Sequence, residues 1–315
     1  MTVPAGEMFD EFSLLPDNAE DAGLTWTASP VVRRESVDVR GRQVSAIVWG
    51  DGPAEAILLH GGAQNAHTWD TVALALQRPL VAVDLPGHGK SDWRDDGDYS
   101  MRTMADDVTA AIQALAPSAR ALIGIGLGAP LALLAAGRLG PALAGLVLID
   151  SASGVRTNAS PGTPAPSQAA ARVEAFTSHH SFASLDEMIE RTSAYSPGRG
   201  SRAVRRGVQH NARQHADGSW SWRWDPRQRG ERDYAFDATS AALAHFSGPI
   251  LLVRGELSDI VTDELASAFS VAHPDTELVT IVGAGHAVQG DRPVELAKVL
   301  AAFLSALTRS VEHTA

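Results

Sequence analysis

The stretch ALIGIGLGAP, from Ala121 to Pro130, is the part of the chain that decides its fold. Its first residues are apolar apart from one glycine, which predicts a short buried strand. Gly124, Gly126 and Gly128 then mark a tight turn, and the small and apolar residues that follow favour a helix. A strand that passes through a glycine turn into a helix is a building unit of parallel sheets covered by helices.

The same rhythm recurs on both sides of this stretch. Short apolar runs end in turns at AILLHGG, LVAVDLPGHG and LAGLVLID, and helical stretches at 101–115 and 129–139 separate the later runs. The rhythm resumes in GPILLVRGELSDIV and TELVTIVGAGHAV, before a predicted helix around 293–307. The earlier runs ESVDVR and VSAIVWG, separated by Gly41, predict an antiparallel hairpin. We therefore predict an α/β fold with a mostly parallel central sheet and helices on both faces.

Residues 155–240 interrupt the alternation of strands and helices. The segment opens with the linker-like TNASPGTPAPSQ, continues with arginine-rich helical stretches and includes GSWSWRWDP. Its length suits a cap inserted into a single sheet. The predicted organisation is an N-terminal extension over 1–30, a core formed by 31–154 and 241–315, and a helical cap over 155–240.

Composition and charge restrict the classes of function. The 315 residues carry a formal net charge of −11 and include no cysteine. The acidic balance argues against nucleic acid and anionic membranes as partners, and the lack of cysteine excludes thiolate metal sites. No apolar run has the length of a membrane span, and the first residues lack the pattern of a secretory signal. We expect a cytoplasmic protein that acts on a small molecule without a metal or a cofactor.

The residues at the predicted strand ends resemble those of the α/β-hydrolase family. Ligands of open α/β sheets bind at this edge, and the segments HGGAQNAHTW, DLPGHGKSD, LIDSASG, GELSDIV and GAGHAVQ all lie there. The family's chain order of nucleophile turn, acid and histidine is kept. The resemblance covers 44–307 apart from much of the cap. Within the family, HGGAQNAHTWDTV, AVDLPGHGKSDWRDDGDYS, RRGVQHNAR and GSWSWRWD are most similar to mycobacterial-type carboxylesterases.

The resemblance implies a role for each matching residue. His286 would be the general base, and either Asp259 or Asp150 would orient its ring and stabilise its charged form. The backbone N–H groups of Gly62 and Leu127 would form the oxyanion hole. All of these positions follow predicted strands, so the fold would bring them to one edge of the sheet.

Gly126 is the departure from the family pattern. It occupies the middle of G-x-S-x-G, where the family carries a serine nucleophile, and it has no side-chain atom that could attack a carbonyl. The protein could be an esterase-like enzyme that uses general-base chemistry on the ester or carbonyl group of a small, moderately hydrophobic molecule. It could also be an inactivated esterase, or a hydrolase-like protein that binds a ligand without turnover. Retention of the histidine and the aspartates favours the enzyme.

The glycine turn also fits a second motif. Gly124, Gly126 and Ala129 match the G-x-G-x-x-G/A pattern of dinucleotide-binding oxidoreductases, and Asp150 follows the next strand, near where an acid would contact a ribose. However, this motif falls on the third parallel strand, and the loops at Asp259 and His286 would have no role. We therefore favour the hydrolase over the oxidoreductase.

Aromatic and basic residues of the cap have two interpretations each. Trp220, Trp222 and Trp224 alternate and would share one face of a strand. Packing of the cap against the main domain is the favoured interpretation, and substrate binding by Trp222 and Trp224 is the alternative. The basic run predicts a solvated helical face, or alternatively a receptor for a substrate carboxylate or phosphate; it comprises Arg199, Arg202, Arg205, Arg206 and Arg213.

Two histidines in glycine-rich turns are expected to be structural. His60 precedes Gly61–Gly62, and His88 lies between Gly87 and Gly89. Histidine often braces loops of this kind through its two ring nitrogens, so we assign neither residue to catalysis.

Overall fold

An eight-stranded sheet forms the centre of the molecule in a computed structural model, which describes residues 10–155, 181–195, 199–228 and 235–312. The strands are β1 (Val32–Val39), β2 (Arg42–Trp49), β3 (Ala56–Leu59), β4 (Leu80–Val83), β5 (Ala121–Ile125), β6 (Gly145–Ile149), β7 (Ala212–Gln214), β8 (Trp220–Trp222), β9 (Ile250–Gly255) and β10 (Glu277–Ile281). The strand order is β1-β2-β4-β3-β5-β6-β9-β10. β2 runs antiparallel to β1 and β4, and the other neighbours are parallel. The predicted α/β fold and its hairpin are confirmed.

Helices cover both faces of the sheet. They are α1 (Leu15–Asp21), α2 (Asp70–Leu76), α3 (Met101–Leu115), α4 (Gly128–Leu139), α5 (Leu185–Tyr195), α6 (Ser201–Asn211), α7 (Phe236–His245), α8 (Asp263–Ala272), α9 (Val288–Asp291) and α10 (Pro293–Glu312). Strands β3 to β6 and β9 are buried along their whole length, as expected of a sheet packed on both sides. One core lies against α3, α4, α7 and α8, and the other against α1, α2 and α10. No helix in the described ranges is long and apolar enough to cross a bilayer.

Two glycines allow α4 to approach the sheet closely. A Cβ on Gly128 would lie 2.3 Å from the carbonyl oxygen of Leu59 in β3. A Cβ on Gly124 would lie 2.3 Å from the carbonyl oxygen of Gly128. Both distances are far below van der Waals contact, so the sequence of the turn is dictated by packing at these two positions. The strand, the turn and the helix are therefore tightly packed against one another and against β3.

The described residues between 181 and 228 form a small layer with a core of its own. It contains α5, α6 and the β7–β8 hairpin. Trp222 and Trp224 are each only 3% exposed and belong to this core. The two indoles therefore serve packing, as the favoured interpretation has it, but they pack mainly inside this layer and not against the main domain. Their burial does not support the predicted substrate-binding role. The buried members of the core are Phe182, Met188, Val204, Val208, Ala212, Trp222 and Trp224.

The cap rests on the loops that follow β3 and β4. Asn211 donates its amide N–H to the carbonyl of Ala63 at 2.7 Å. The indole N–H of Trp93 donates to the carbonyl of Arg223 at 3.0 Å. Several side-chain to backbone bonds of this kind fix the cap on the edge of the sheet where the predicted site residues lie.

Most of the arginine run is engaged with carboxylates. Arg202 contacts Asp17, Glu20 and Asp21, and Arg206 contacts Asp21 at 2.6 Å. These pairs join α1 to the cap helix α6. Arg205 pairs with Asp186 at 3.2 Å, Arg199 lies 3.7 Å from Asp291, and Arg213 is exposed. The run is therefore partly a solvated face and partly a connection to the N-terminal extension.

Substitution of Gly128 tests the close packing of the elbow. Gly128→Ala should lower the free energy of unfolding by about 2–3 kcal/mol, because the new methyl group forces α4 away from β3. Gly207→Ala is the matched control, since a Cβ there meets nothing within 4 Å and Gly207 lies on the exposed side of α6. The control should raise stability by about 0.5–1 kcal/mol. Urea denaturation measures both values, and equal effects would contradict the packing argument.

Candidate active site

The side chains of Asp150 and His286 meet at the carboxyl edge of the sheet. His286 Nδ1 lies 2.7 Å from Asp150 Oδ2. The Asp150 carboxylate is fully buried and also accepts hydrogen bonds from the Gly255 N–H at 3.2 Å and the Ser258 hydroxyl at 2.5 Å. Three donors therefore fix the carboxylate, and the carboxylate fixes one orientation of the imidazole.

Of the two predicted orienting acids, the structure places Asp150 on the histidine. The pairing of β6 with β9 sets Ile149 opposite Val253, so Asp150 lies level with the end of β9. Asp259 lies further along the following loop and is exposed. Chain order could not separate the two acids, because both precede His286. Strand register separates them.

Gly126 faces the second nitrogen of His286. A Cβ on Gly126 would lie 3.5 Å from His286 Nε2 and 3.5 Å from Gly61 Cα, which are ordinary contacts. A side chain at this position would therefore fit, in contrast to Gly124 and Gly128. The backbone of Gly126 has φ +52°, where a residue with a side chain is strained. The geometry is that of a sharp turn from β5 into α4 with glycine at its apex.

Two backbone N–H groups lie where the oxyanion hole is predicted. Within the described ranges, neither Gly62 nor Leu127 donates a backbone hydrogen bond. Leu127 is the N-cap of α4, so its N–H group lies at the positive end of the helix dipole. Gly62 lies in the turn after β3, where the N–H group of the next residue, Ala63, donates to His88 Nε2 at 3.2 Å. The two free N–H groups remain candidates for binding an oxyanion.

His60 and His88 hold the loops around the site. His60 Nε2 accepts the Leu85 N–H at 3.0 Å, and its Nδ1 donates to the Gly61 carbonyl at 2.7 Å. Burial lowers the pKa of His60 to about 4, so the ring is neutral at physiological pH. His88 accepts from Ala63 through Nε2 and donates through Nδ1 to a carbonyl of its own turn. This arrangement fits the predicted bracing role.

Among the described residues, one cluster brings several potential metal ligands together. The ligand atoms of His67, Asp70 and His210 lie within 4.8 Å of one another. However, His67 lies 2.8 Å from Asp70 and 3.1 Å from Glu11, through different nitrogens. Burial would lower the pKa of His67, but the Asp70 charge and hydrogen bonds to both carboxylates raise it to about 9. A protonated ring next to Arg34 does not favour a cation.

Several contacts around the site had no signal in the sequence. Ser258 donates to Asp150, and Asn211 holds the Ala63 carbonyl from the cap. Hydroxyl and amide side chains are common in loops, so neither residue stands out by type or spacing. Only the fold brings them to the site.

Sequence comparisons assign the chain to a family. The model of the alpha/beta hydrolase family matches residues 56–299, so the chain belongs to that family. The esterase Rv0045c of Mycobacterium tuberculosis is 38% identical over 299 residues, which cover 94% of this chain and 96% of that protein. The 2-(acetamidomethylene)succinate hydrolase of Mesorhizobium japonicum is 27% identical over 271 residues, covering 82% and 90%.

Solved structures give the same assignment. A crystal structure of the Mycobacterium tuberculosis esterase Rv0045c matches with a TM-score of 0.79 and 35% identity, and covers 95% of this chain and 99% of that chain. The thioesterase domain from the curacin biosynthetic pathway matches with a TM-score of 0.69 at 21% identity, covering 87% and 99%, and supports the fold alone. The resemblance to mycobacterial-type esterases is confirmed, and the dinucleotide-binding alternative loses its support.

The buried His60 makes stability depend on pH. The pKa of His60 is about 4 in the folded chain and 6.5 when unperturbed, so between these values the unfolded state binds a proton that the native state excludes. The free energy of unfolding should therefore fall by about 3 kcal/mol from this group as the pH drops from 6.5 to 4. His60→Gln should remove most of this dependence in urea titrations at several pH values. If the free energy of unfolding of His60→Gln depended on pH as steeply as that of the unaltered chain, the assignment of this dependence to His60 would be wrong.

Proposed function

We propose that this α/β-hydrolase is an esterase-like enzyme that cleaves an ester or related carbonyl bond of a small, moderately hydrophobic molecule without a covalent acyl intermediate. The supporting observation is the pair of contacts made by His286. Its Nδ1 is held by Asp150 at 2.7 Å, and its Nε2 lies 3.5 Å from the Cβ position of Gly126. The base thus faces the place where related enzymes carry the attacking oxygen.

A water molecule takes the part of the serine hydroxyl in this mechanism. Asp150 accepts a hydrogen bond from the Nδ1–H of His286, so the proton stays on Nδ1 and the other nitrogen of the ring is free to act as a base. His286 Nε2 removes a proton from water as the water oxygen forms a bond to the carbonyl carbon, and the carbonyl electron pair moves onto its oxygen. The N–H groups of Gly62 and Leu127 would stabilise this oxyanion.

Collapse of the tetrahedral intermediate completes the reaction. The carbonyl re-forms, the bond to the alcohol oxygen breaks, and protonated His286 donates its Nε2 proton to the departing oxygen. The products are an acid and an alcohol, and no group stays on the chain. Because one direct attack by water replaces two easier covalent steps, turnover should be slow compared with an enzyme that carries a serine.

Gly126→Ser tests whether the site lacks only its nucleophile. The new hydroxyl would lie next to His286 Nε2, so kcat/KM for p-nitrophenyl acetate should rise by at least about tenfold, with a burst of p-nitrophenol from acylation. The free energy of unfolding should fall by about 1–3 kcal/mol, because φ is positive at this position.

Gly126→Ala is the matched control. It introduces the same backbone strain and a similar contact with Gly61, but no hydroxyl, so it should lose stability without gaining activity. A folded serine variant that hydrolyses no more ester than the alanine variant would show that His286 and Asp150 do not form a working pair.

Replacement of each acid by its amide tests whether Asp150 or Asp259 orients His286. Asp150→Asn should lower kcat/KM by about 100-fold or more, because an amide no longer stabilises the imidazolium and favours the wrong tautomer. Asp259→Asn should change kcat/KM by less than about threefold, since its side chain is exposed. Ester hydrolysis is measured for each single variant and for each double variant that also carries Gly126→Ser. Circular dichroism checks that every variant is folded.

A silent binding protein would give a different set of results. It would bind a member of a panel of esters, lactones and β-dicarbonyl compounds, and His286→Ala would leave that binding intact. No compound of the panel would be hydrolysed by the unaltered chain. That combination would overturn the proposed enzymatic function.

A further inference from the structure

A cavity separate from the dyad lies between the cap and the loops that follow β3 and β4. Its volume is about 220 Å³, and neither Gly126 nor His286 lines it. The N-terminal extension contributes Glu11, and the cap contributes Gln209 and Arg223. Three parts of the chain that are distant in sequence therefore line one half-open cavity with several charged side chains.

The carboxylates of this cavity already have fixed donors. Glu11 contacts Arg34 at 2.7 Å, and His67 and the Lys90 ammonium group at 3.1 Å. Burial would raise the pKa of Glu11, but hydrogen bonds from His67 and Arg34 hold it well below its usual range. Asp84 accepts from Arg34 at 2.7 Å and from backbone N–H groups. Neither carboxylate needs a further cation.

Arg223 lines the cavity without a directly paired carboxylate. Within the described part of the chain, its guanidinium makes no hydrogen bond or ion pair. Burial lowers the pKa of Arg223; the charge of Asp84 raises it, the charges of Arg213 and Arg34 lower it, and the charge of Glu11 raises it. Removing a guanidinium from water without an anion is unfavourable. The amides of Asn65 and Gln209 line the same cavity.

The charge balance of the lining is positive. Arg34, Lys90 and Arg223 face the cavity, against the carboxylates of Glu11 and Asp84, while the charge of His67 is balanced by Asp70 at 2.8 Å. The excess positive charge and the free guanidinium both select an anion. The planar donor fork of arginine suits the paired oxygens of a carboxylate or phosphate.

We propose that this cavity is a binding site for a small oxyanion, a phosphate or a dicarboxylate of a few heavy atoms. Arg223 is its main ligand, Lys90 supplies a second positive charge, and the amides of Asn65 and Gln209 complete the donor set. The site lies outside the proposed catalytic centre and does not depend on turnover.

Isothermal titration calorimetry tests the proposal. The full chain is titrated with inorganic phosphate, and separately with malonate, in a buffer without other polyvalent anions. One of the two anions should bind saturably at one site per chain. Arg223→Gln should weaken this binding by at least about tenfold, and Lys90→Gln by about threefold or more. Arg213→Gln is the matched control on the same hairpin, and it should change affinity by less than about twofold because its side chain is exposed.

Three results would overturn the proposal. The first is the absence of saturable binding of either anion up to about 20 mM, where even a weak specific site would be filled. The second is equal affinity of the unaltered chain and of both the Arg223→Gln and Lys90→Gln variants, with melting curves that show folded protein. The third is loss of binding in His286→Ala, which would place the anion at the dyad. Because binding is measured instead of hydrolysis, failure of the proposed esterase function would leave these results unaffected.

Discussion

The close approach of α4 to the sheet is the constraint on which the site depends. Gly124 and Gly128 have no room for a Cβ, since each would place it 2.3 Å from a carbonyl oxygen. Because neither residue has a side chain, α4 begins directly at the end of β5. The N–H group at the start of α4 therefore lies next to Gly126, the residue at the apex of the turn. Gly126, Leu127 and the turn at Gly62 are therefore held relative to one another by backbone packing, whichever side chain the apex carries.

Much of the fold could be predicted because it depends on local pattern. Apolar runs bounded by glycine turns identified the strands, and the G-x-x-x-G spacing around Gly126 identified the elbow. The approximate site followed, because parallel strands deliver their carboxyl ends to one edge. Esterase-like relatives and the family match support this outcome.

The finer contacts could not be predicted because they depend on register and on packing between distant segments. Both Asp150 and Asp259 were candidates for orienting His286. The pairing of β6 with β9 places Asp150 there, and this pairing cannot be read from the order of residues along the chain. Trp222 and Trp224 are large apolar residues whose spacing favours packing but also allows ligand contact, and their burial supports packing. The predicted N-terminal extension contained no sign that Glu11 would pair with Arg34 inside the molecule.

The hydrogen bond from the Asn211 amide to the Ala63 carbonyl reaches a residue with an unfavourable backbone conformation. Ala63 has φ +59°, an unfavourable conformation for alanine, and it adjoins the N–H group of Gly62. The bond therefore holds the carbonyl of a strained residue in place from a distant part of the chain. One hydrogen bond thus ties the segment around Asn211 to the turn that carries the Gly62 N–H group, across 148 positions of the sequence.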